Sequence, residues 1–391
     1  MSTASVLSDR ARASGRLALD AEFMGEGRYR ALLCLVQVAV DDGAGGTLVE
    51  VLDPLEGFEP GELRGVLADP SIEKVVHAGR QDVAILRRTW DTEVRNLFDT
   101  QIAAGFGGYG AQTGYASLLA DVLGRRLAKS ASFTRWDRRP LSDEQLSYAR
   151  EDVADLLELA TALQDELRAR GRLEWAREEC RALEESSDER DPEEAWRRLP
   201  RVTRLRPRER AIARELAAWR ERTAAAEDRP VSSVLSDAAL VEVARRQPQD
   251  RRGLDQIRGL HGRIASRRGP ELLAAVARGR KAEPPGLDAA RAPLNESSDA
   301  PLIALAEALV RARALEFGVA YELVATRAEL NQVIAAARRG DAEPDVRTLR
   351  GWRRELVGGE LLELLDGRHA LAVRREQQRS PALRVVPFDG G

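Results

Sequence analysis

Cysteine is nearly absent from this chain. Cys34 and Cys180 are the only two in 391 residues, which excludes a disulfide framework and a cysteine-based zinc site and suits a cytoplasmic protein. Histidine is as scarce, with three, too few and too scattered for a histidine-rich metal centre. Aromatic residues make up 5%; with Ala and Leu abundant, helix is expected over most of the length. No apolar run approaches the roughly 20 residues of a membrane span. The opening Met1-Ser2-Thr3-Ala4-Ser5 is polar and lacks the apolar core of a secretory signal. The phosphate loop Gly-x-x-x-x-Gly-Lys-Ser/Thr is missing, which counts against an ATP-driven helicase. Nothing signals a membrane or an obligate protein partner.

Net charge is −3, but it is unevenly spread. Acids outnumber bases over residues 1–170, whereas 203–285 carries 19 Lys+Arg against 11 Asp+Glu. Affinity for phosphate backbones needs local positive charge, not a positive total. An acidic domain suited to cations is thus followed by a basic one suited to nucleic acid.

Length implies two or three domains. Alternation predicts strands at Arg16–Asp20, Leu32–Val40 and Thr47–Leu52, with a turn at Asp41-Asp42-Gly43. Helical stretches follow at Gly61–Ala68 and Arg80–Thr89, with a short strand at Lys74–His77 between them. Asp99 stands where a helix should begin. Ser142-Asp143-Glu144-Gln145 should cap a long helix running to about Arg168. Strands first and helices after predict an α/β domain with a mixed sheet flanked by helices. Residues 171–202 read as a charged connector broken at Asp191-Pro192. A helical block fills 203–285, its core positions Ile212, Leu216, Trp219, Leu235, Leu240, Val243 and Ile257. Residues 286–299 read as a solvated linker, 300–378 as a second helical block, and 379–391 as a disordered tail.

Four acids in three patches carry the chemistry. Asp20 and Glu22 close an apolar run and point to one side of a strand. Asp82 follows His77-Ala78-Gly79, and Asp152 follows Tyr148 by four residues, on one helix face. Each patch alone has a bland reading: solvated strand-end acids for the first, an acid at a helix N-terminus for Asp82. Together they form an oxygen-rich set suited to hard divalent cations, such as the metal pairs that cleave phosphodiesters.

These patches resemble the three motifs of the DEDD exonucleases in their tyrosine-bearing branch. The surrounding segments Leu19–Phe23, His77–Gly79, Phe98–Gln101, Gly114–Leu118, Leu127–Ser130, Trp136–Pro140, Leu141–Asp152 and Asp191–Arg197 are similar to the ribonuclease D family. The likeness covers nearly the whole chain apart from both termini and one linker. It implies a ribonuclease H-like catalytic domain at 1–170. A helicase-and-RNase-D C-terminal (HRDC) domain follows at 203–285, and a second HRDC-like all-α domain at 300–378.

The implied activity is 3′→5′ hydrolysis of structured RNA such as tRNA precursors, releasing nucleoside 5′-monophosphates. Asp20, Glu22, Asp82 and Asp152 would hold two divalent cations, Mg²⁺ or Mn²⁺. Tyr148 would orient the attacking water, since a phenol with an ordinary pKa near 10 is a poor base at neutral pH. Position 147 is serine, so the histidine of the sister branch is missing. Glu151 and Asp155 match no motif position. For substrate contact the candidates are Phe23, Gln37 and His77, with Phe23 equally readable as core and His77 as structural. On the basic block they are Arg251, Arg252, Arg258, Arg263, Arg267 and Arg268, with Lys129 and Arg135 weaker. Ala21 stands where the family pattern leads one to expect threonine, and Arg80-Gln81 where an acidic or small pair is expected. A DNA 3′ exonuclease and a non-catalytic RNA-binding scaffold are the competing readings; the scaffold would predict loss of acids that are all present.

Overall fold

A helix, α1 (Thr3–Ser14), leads into the first strand through Gly15, whose left-handed backbone (φ 71°) turns the chain at the helix end. The computed structural model describes residues 2–127, 135–260, 262–286, 296–373 and 383–388, with 296–298 described by backbone alone. Strands β1 (Arg16–Met24) and β2 (Leu32–Asp41) run longer than alternation predicts, and β3 (Thr47–Leu52) has the expected bounds. Then come α2 (Leu63–Ala68), β4 (Glu73–Val76), α3 (Arg80–Trp90), β5 (Leu97–Asp99), α4 (Thr100–Gly107) and α5 (Tyr115–Leu123). The sheet order is β3-β2-β1-β4-β5. β2 and β3 are antiparallel, while β1–β4 and β4–β5 are parallel. This is a mixed sheet with helical crossovers, as strands first and helices after predicted.

The capping box at Ser142 and Gln145 forms as expected and starts α6 (Asp143–Ala154). The single long helix does not. Asp155 leaves helical geometry at ψ 2°, ending α6 and preceding α7 (Leu156–Ala169). Its carboxylate is taken by Arg125 at 2.6 Å, a side-chain partner outside the helix.

The chain forms two compact units. The first contains Met1–Glu22, Cys34–Ser187 and Pro293–Gly391. It therefore takes in α8 (Leu173–Glu184), the first part of the stretch read as a connector. The second contains Phe23–Leu33 and Asp188–Ala292. It holds α9 (Pro207–Ala226), α10 (Val231–Val234), α11 (Asp237–Arg246), α12 (Arg251–Asp255) and α13 (Gly262–Lys281). All seven core positions named for this block lie in its apolar cluster, beside Trp196 and Tyr29. Ser236 caps α11 by accepting from Ala239 N, and Gln247 closes that helix in left-handed geometry.

The C-terminal block completes the first unit with α14 (Glu296–Phe317), α15 (Tyr321–Val324), α16 (Arg327–Arg339), α17 (Gly351–Arg353) and α18 (Gly359–Leu365). Its long helix, four-residue turn and Thr326-capped helix repeat the order of α9 to α11. Ile303, Leu309, Trp352 and Leu361 share one apolar cluster with Phe98, Phe106 and Leu163. Two strands then pair antiparallel, β6 (His369–Val373) and β7 (Leu383–Pro387). The second lies in the stretch read as a disordered tail, and the block is not purely helical. Leu371 and Val385 explain the hairpin, because both pack against the apolar cluster.

Candidate active site

Three local devices bring the acids together. β1 presents Asp20 and Glu22 two residues apart, hence on one side of the sheet. β4 delivers Asp82 through a tight turn. Ala78 takes a left-handed backbone (φ 55°), and a Cβ on Gly79 would come within 2.6 Å of Val76 Cγ2, so glycine is needed there. The turn is held by Asp99, buried at the start of α4, whose carboxylate accepts from Ala78 N, Gly79 N, Gln101 N and Ile102 N. The capping box of α6 sets the third patch, Tyr148 and Asp152.

Oxygens of Asp20, Glu22 and Asp152 lie within 4.8 Å of one another, each residue half-buried. Asp82 stands outside this trio yet close enough that its charge raises the pKa of both Asp20 and Glu22. Burial drives Asp20 well above the usual carboxylate range, with Asp82, Asp152 and Glu22 adding repulsion. Burial, then Asp152 and Asp82, push Glu22 up to about 8. Asp152 is raised to about 7 by burial, against a lowering hydrogen bond from Tyr148. Asp82 reaches about 6, again through burial. Among the described residues no lysine or arginine offsets these charges. Such a set is costly in water-poor surroundings without cations. The donors are all hard carboxylate oxygens, which fits Mg²⁺ or Mn²⁺ and not a soft metal.

The Tyr148 hydroxyl donates to Asp152, and burial followed by the Asp152 and Glu22 charges holds the phenol well above its ordinary value. In the metal-free protein it keeps its proton at neutral pH. Glu151 and Asp155 turn elsewhere, to Ser147 at 3.1 Å and Arg125 at 2.6 Å.

The sign of the pH effect follows. Raised carboxylate pKa values mean that the folded, metal-free protein holds protons its unfolded chain releases. Stability should therefore fall as pH rises from about 4, the ordinary carboxylate value, towards the values near 8 of Glu22 and 7 of Asp152. Cations compete with those protons, so the melting-temperature gap between Mg²⁺ and chelator should widen from pH 5 to pH 8. A gap that is constant or shrinks over this range would argue against cation binding by the cluster.

The substrate-contact candidates divide. His77 is partly buried, its Nδ1 2.9 Å from Thr100 Oγ1 and its ring 5.6 Å from that of Tyr115. Phe23 is half-buried beside Glu22. Gln37 is not available: it is 0% exposed, because β2 lies between β1 and β3 with Leu33 to Val40 all buried. Arg268 is also engaged, between Glu227 and Glu271 with its side chain 16% exposed. Arg251 ties α12 to α13 through Ala265 O and Ser266 Oγ. Arg267 pairs with Glu227 at 3.3 Å but stays exposed. Arg252, Arg258 and Arg263 are exposed with no ion pair among the described residues. Arg135 pairs with Asp137 at 2.9 Å, and Lys129 lies outside the described residues.

Two features at the site escape sequence reading. The Tyr115 phenol is raised by burial and by the charges of Asp155, Asp152 and Asp20, which places a second phenol towards the acids; its only sequence signal is the segment Gly114–Leu118. Arg139 and Asp53 form a half-buried ion pair across 86 residues of chain; Arg139 lies in the family-like segment Trp136–Pro140, but nothing in the sequence signals its pairing with Asp53.

Residues 2–168 match the 3′-5′ exonuclease family and residues 209–276 the HRDC domain. A ribonuclease D of Acidiphilium cryptum is 36% identical over 94% of this chain and 92% of its own length. That of Nitrobacter hamburgensis is 37% identical, covering 91% of each. The crystal structure of Escherichia coli RNase D, an exoribonuclease involved in structured RNA processing, superposes with a TM-score of 0.81 at 31% identity, over 93% of this chain and 96% of that one. The catalytic domain thus has the ribonuclease H-like mixed sheet, followed by a helical HRDC domain. With its fold and nearly its full length in common with these proteins, the chain belongs to the ribonuclease D family of 3′-5′ exoribonucleases.

Proposed function

We propose that the chain trims the 3′ ends of structured RNA, tRNA precursors among them, one nucleotide at a time, releasing nucleoside 5′-monophosphates with the help of two divalent cations. The observation that carries this reading is the convergence of Asp20, Glu22 and Asp152 within 4.8 Å, with Tyr148 hydrogen-bonded to Asp152. Asp20, Glu22, Asp82 and Asp152 would hold Mg²⁺ or Mn²⁺. Cations bound there supply Lewis acidity, making water more acidic and offsetting charge on the phosphate and the leaving oxygen.

The chain's own residues supply position. Tyr148, protonated and directed at Asp152, donates or relays a hydrogen bond that orients water for in-line attack. Phe23 and His77 border the acid patches in sequence and are assigned to the terminal nucleotide. Arg252, Arg258 and Arg263, with the exposed Arg267, are assigned to backbone phosphates of the RNA body. Cys34 and Cys180 are both buried and not joined in a disulfide, which suits work in the reducing cytoplasm.

The test is a 3′-extended tRNA precursor and a DNA strand of matching sequence, each incubated with the protein in Mg²⁺, Mn²⁺ or chelator. Release of 5′-monophosphates from the RNA with either metal, and none in chelator, is the expected result. Faster release from the DNA would assign the chain to DNA 3′ ends. RNA binding without release in either metal would leave a scaffold.

A further inference from the structure

We propose that Arg139 and Trp136 are positioning residues for Tyr148, and that Asp53 fixes them both to the central sheet. The inference rests on the assignment of Tyr148 to orienting water.

The relay is built from directional contacts. Asp53 follows β3, and its Oδ1 accepts from Leu55 N at 3.0 Å and Glu56 N at 3.2 Å, so its carboxylate plane is set by the backbone turn. Arg139 meets that plane with two parallel bonds, Nε to Oδ2 and Nη2 to Oδ1, both 2.6 Å. The remaining guanidinium protons go to Cys34 O on β2 at 3.0 Å, and to Trp136 O and Arg138 O at 2.8 Å. One side chain therefore ties the segment before α6 to β2 and to the end of β3. The forked geometry is available to arginine and not to lysine.

What the clasp holds in place is an indole against the candidate catalytic phenol. Trp136 is 3% exposed, with its ring centroid 6.0 Å from that of Tyr148 at 39°. The Tyr148 ring has a wall on this side, and its hydroxyl is directed at Asp152. A phenol that keeps its proton acts only through where it points. Its contribution then depends on how tightly the ring is confined, because small misplacements of an orienting group reduce rate steeply. Arg139 touches neither the acids nor any group assigned to substrate. Its effect should pass through Trp136 and Tyr148 alone.

A structural staple and a positioning relay differ in a mutant cycle. Turnover and KM are measured with saturating Mg²⁺ for wild type, Arg139→Lys, Trp136→Phe, Tyr148→Phe and the doubles that join each of the first two to Tyr148→Phe. Arg139→Lys should lower kcat about tenfold at unchanged KM and unchanged Mg²⁺ dependence. In the Tyr148→Phe background it should change kcat by less than about twofold, since the hydroxyl it positions is gone. Trp136→Phe, a buried aromatic exchange, follows the same pattern more weakly and carries the test if Arg139→Lys fails to fold. Full additivity with Tyr148→Phe, or wild-type kcat in both Arg139→Lys and Trp136→Phe, would overturn the relay. Wild-type kcat in Tyr148→Phe itself would instead remove the role assigned to the phenol, and the relay with it.

Discussion

Asp20→Asn should lower exonuclease turnover about a thousandfold or more while leaving the protein folded and, in chelator, more heat-stable than wild type. The loss follows from position. Asp20 is the acid to which the other three all contribute repulsion, so it is the carboxylate at the centre of the cluster. Removing one anionic oxygen from the site proposed to hold two divalent cations would forfeit several kcal/mol of transition-state stabilisation, which is the thousandfold. The gain in stability has the same cause with the opposite sign. Without cations, Asp20 adds charge beside Glu22, Asp82 and Asp152 in a largely desolvated place, and a neutral amide of the same shape relieves that repulsion. Activity on a 3′-extended RNA and thermal unfolding at pH 8 in chelator and in Mg²⁺ check both halves. Wild-type turnover in a folded Asp20→Asn protein would sink the site assignment. An inactive variant whose melting temperature falls in chelator would make Asp20 a structural acid.

Much of this site was legible because its information is local. Asp20 and Glu22 are two residues apart on a strand, and Tyr148 and Asp152 four apart on a helix, so spacing alone puts each pair on one face. Asp99 at a helix start and the Ser142–Gln145 box were legible for the same reason. The helical core around Ile212, Leu216 and Leu240 follows from apolar periodicity. What escaped depends on the other side of a contact. Gln37 looked like a polar residue near the first motif, but β2 is an inner strand whose residues are buried on both faces, so alternation says nothing about access. Arg251 and Arg268 look like their neighbours in a basic run; only Ala265 O, Glu227 and Glu271 show that they are engaged. Arginine frequency in this chain hides which guanidinium is structural. The Arg139–Asp53 clasp and the entry of the C-terminal block into the catalytic unit's core are long-range choices that no window of sequence displays.

That entry predicts a large stability effect far from the acids. Glu179→Gln should destabilise the protein by about 3 kcal/mol, the cost of leaving a buried arginine without its partner. Glu179 stands on α8, 13% exposed, and Arg353 in the C-terminal block, 5% exposed. Their two nitrogens and two oxygens pair at 2.5 and 2.6 Å, and Trp352 Nε1 reaches the same carboxylate at 3.3 Å. Around them Trp352 stacks on Trp175 at 5.3 Å and meets Phe106 edge-on at 5.0 Å. A glutamine keeps the shape but not the charge, and Arg353, held also by Leu323 O at 2.7 Å, stays almost wholly buried. Replacing both residues, Glu179→Leu with Arg353→Met, removes two charges from an apolar setting and should recover most of the loss. Because the block shares its apolar cluster with Phe98 and Phe106, Glu179→Gln should also lower the melting temperature of the catalytic unit in one transition, by about 5 °C or more. Unfolding monitored by tryptophan fluorescence and by loss of nuclease activity should then coincide. A separate early transition in fluorescence with activity intact would show that the C-terminal block comes away without disturbing the sheet, and that Glu179 joins two independent bodies and not one core.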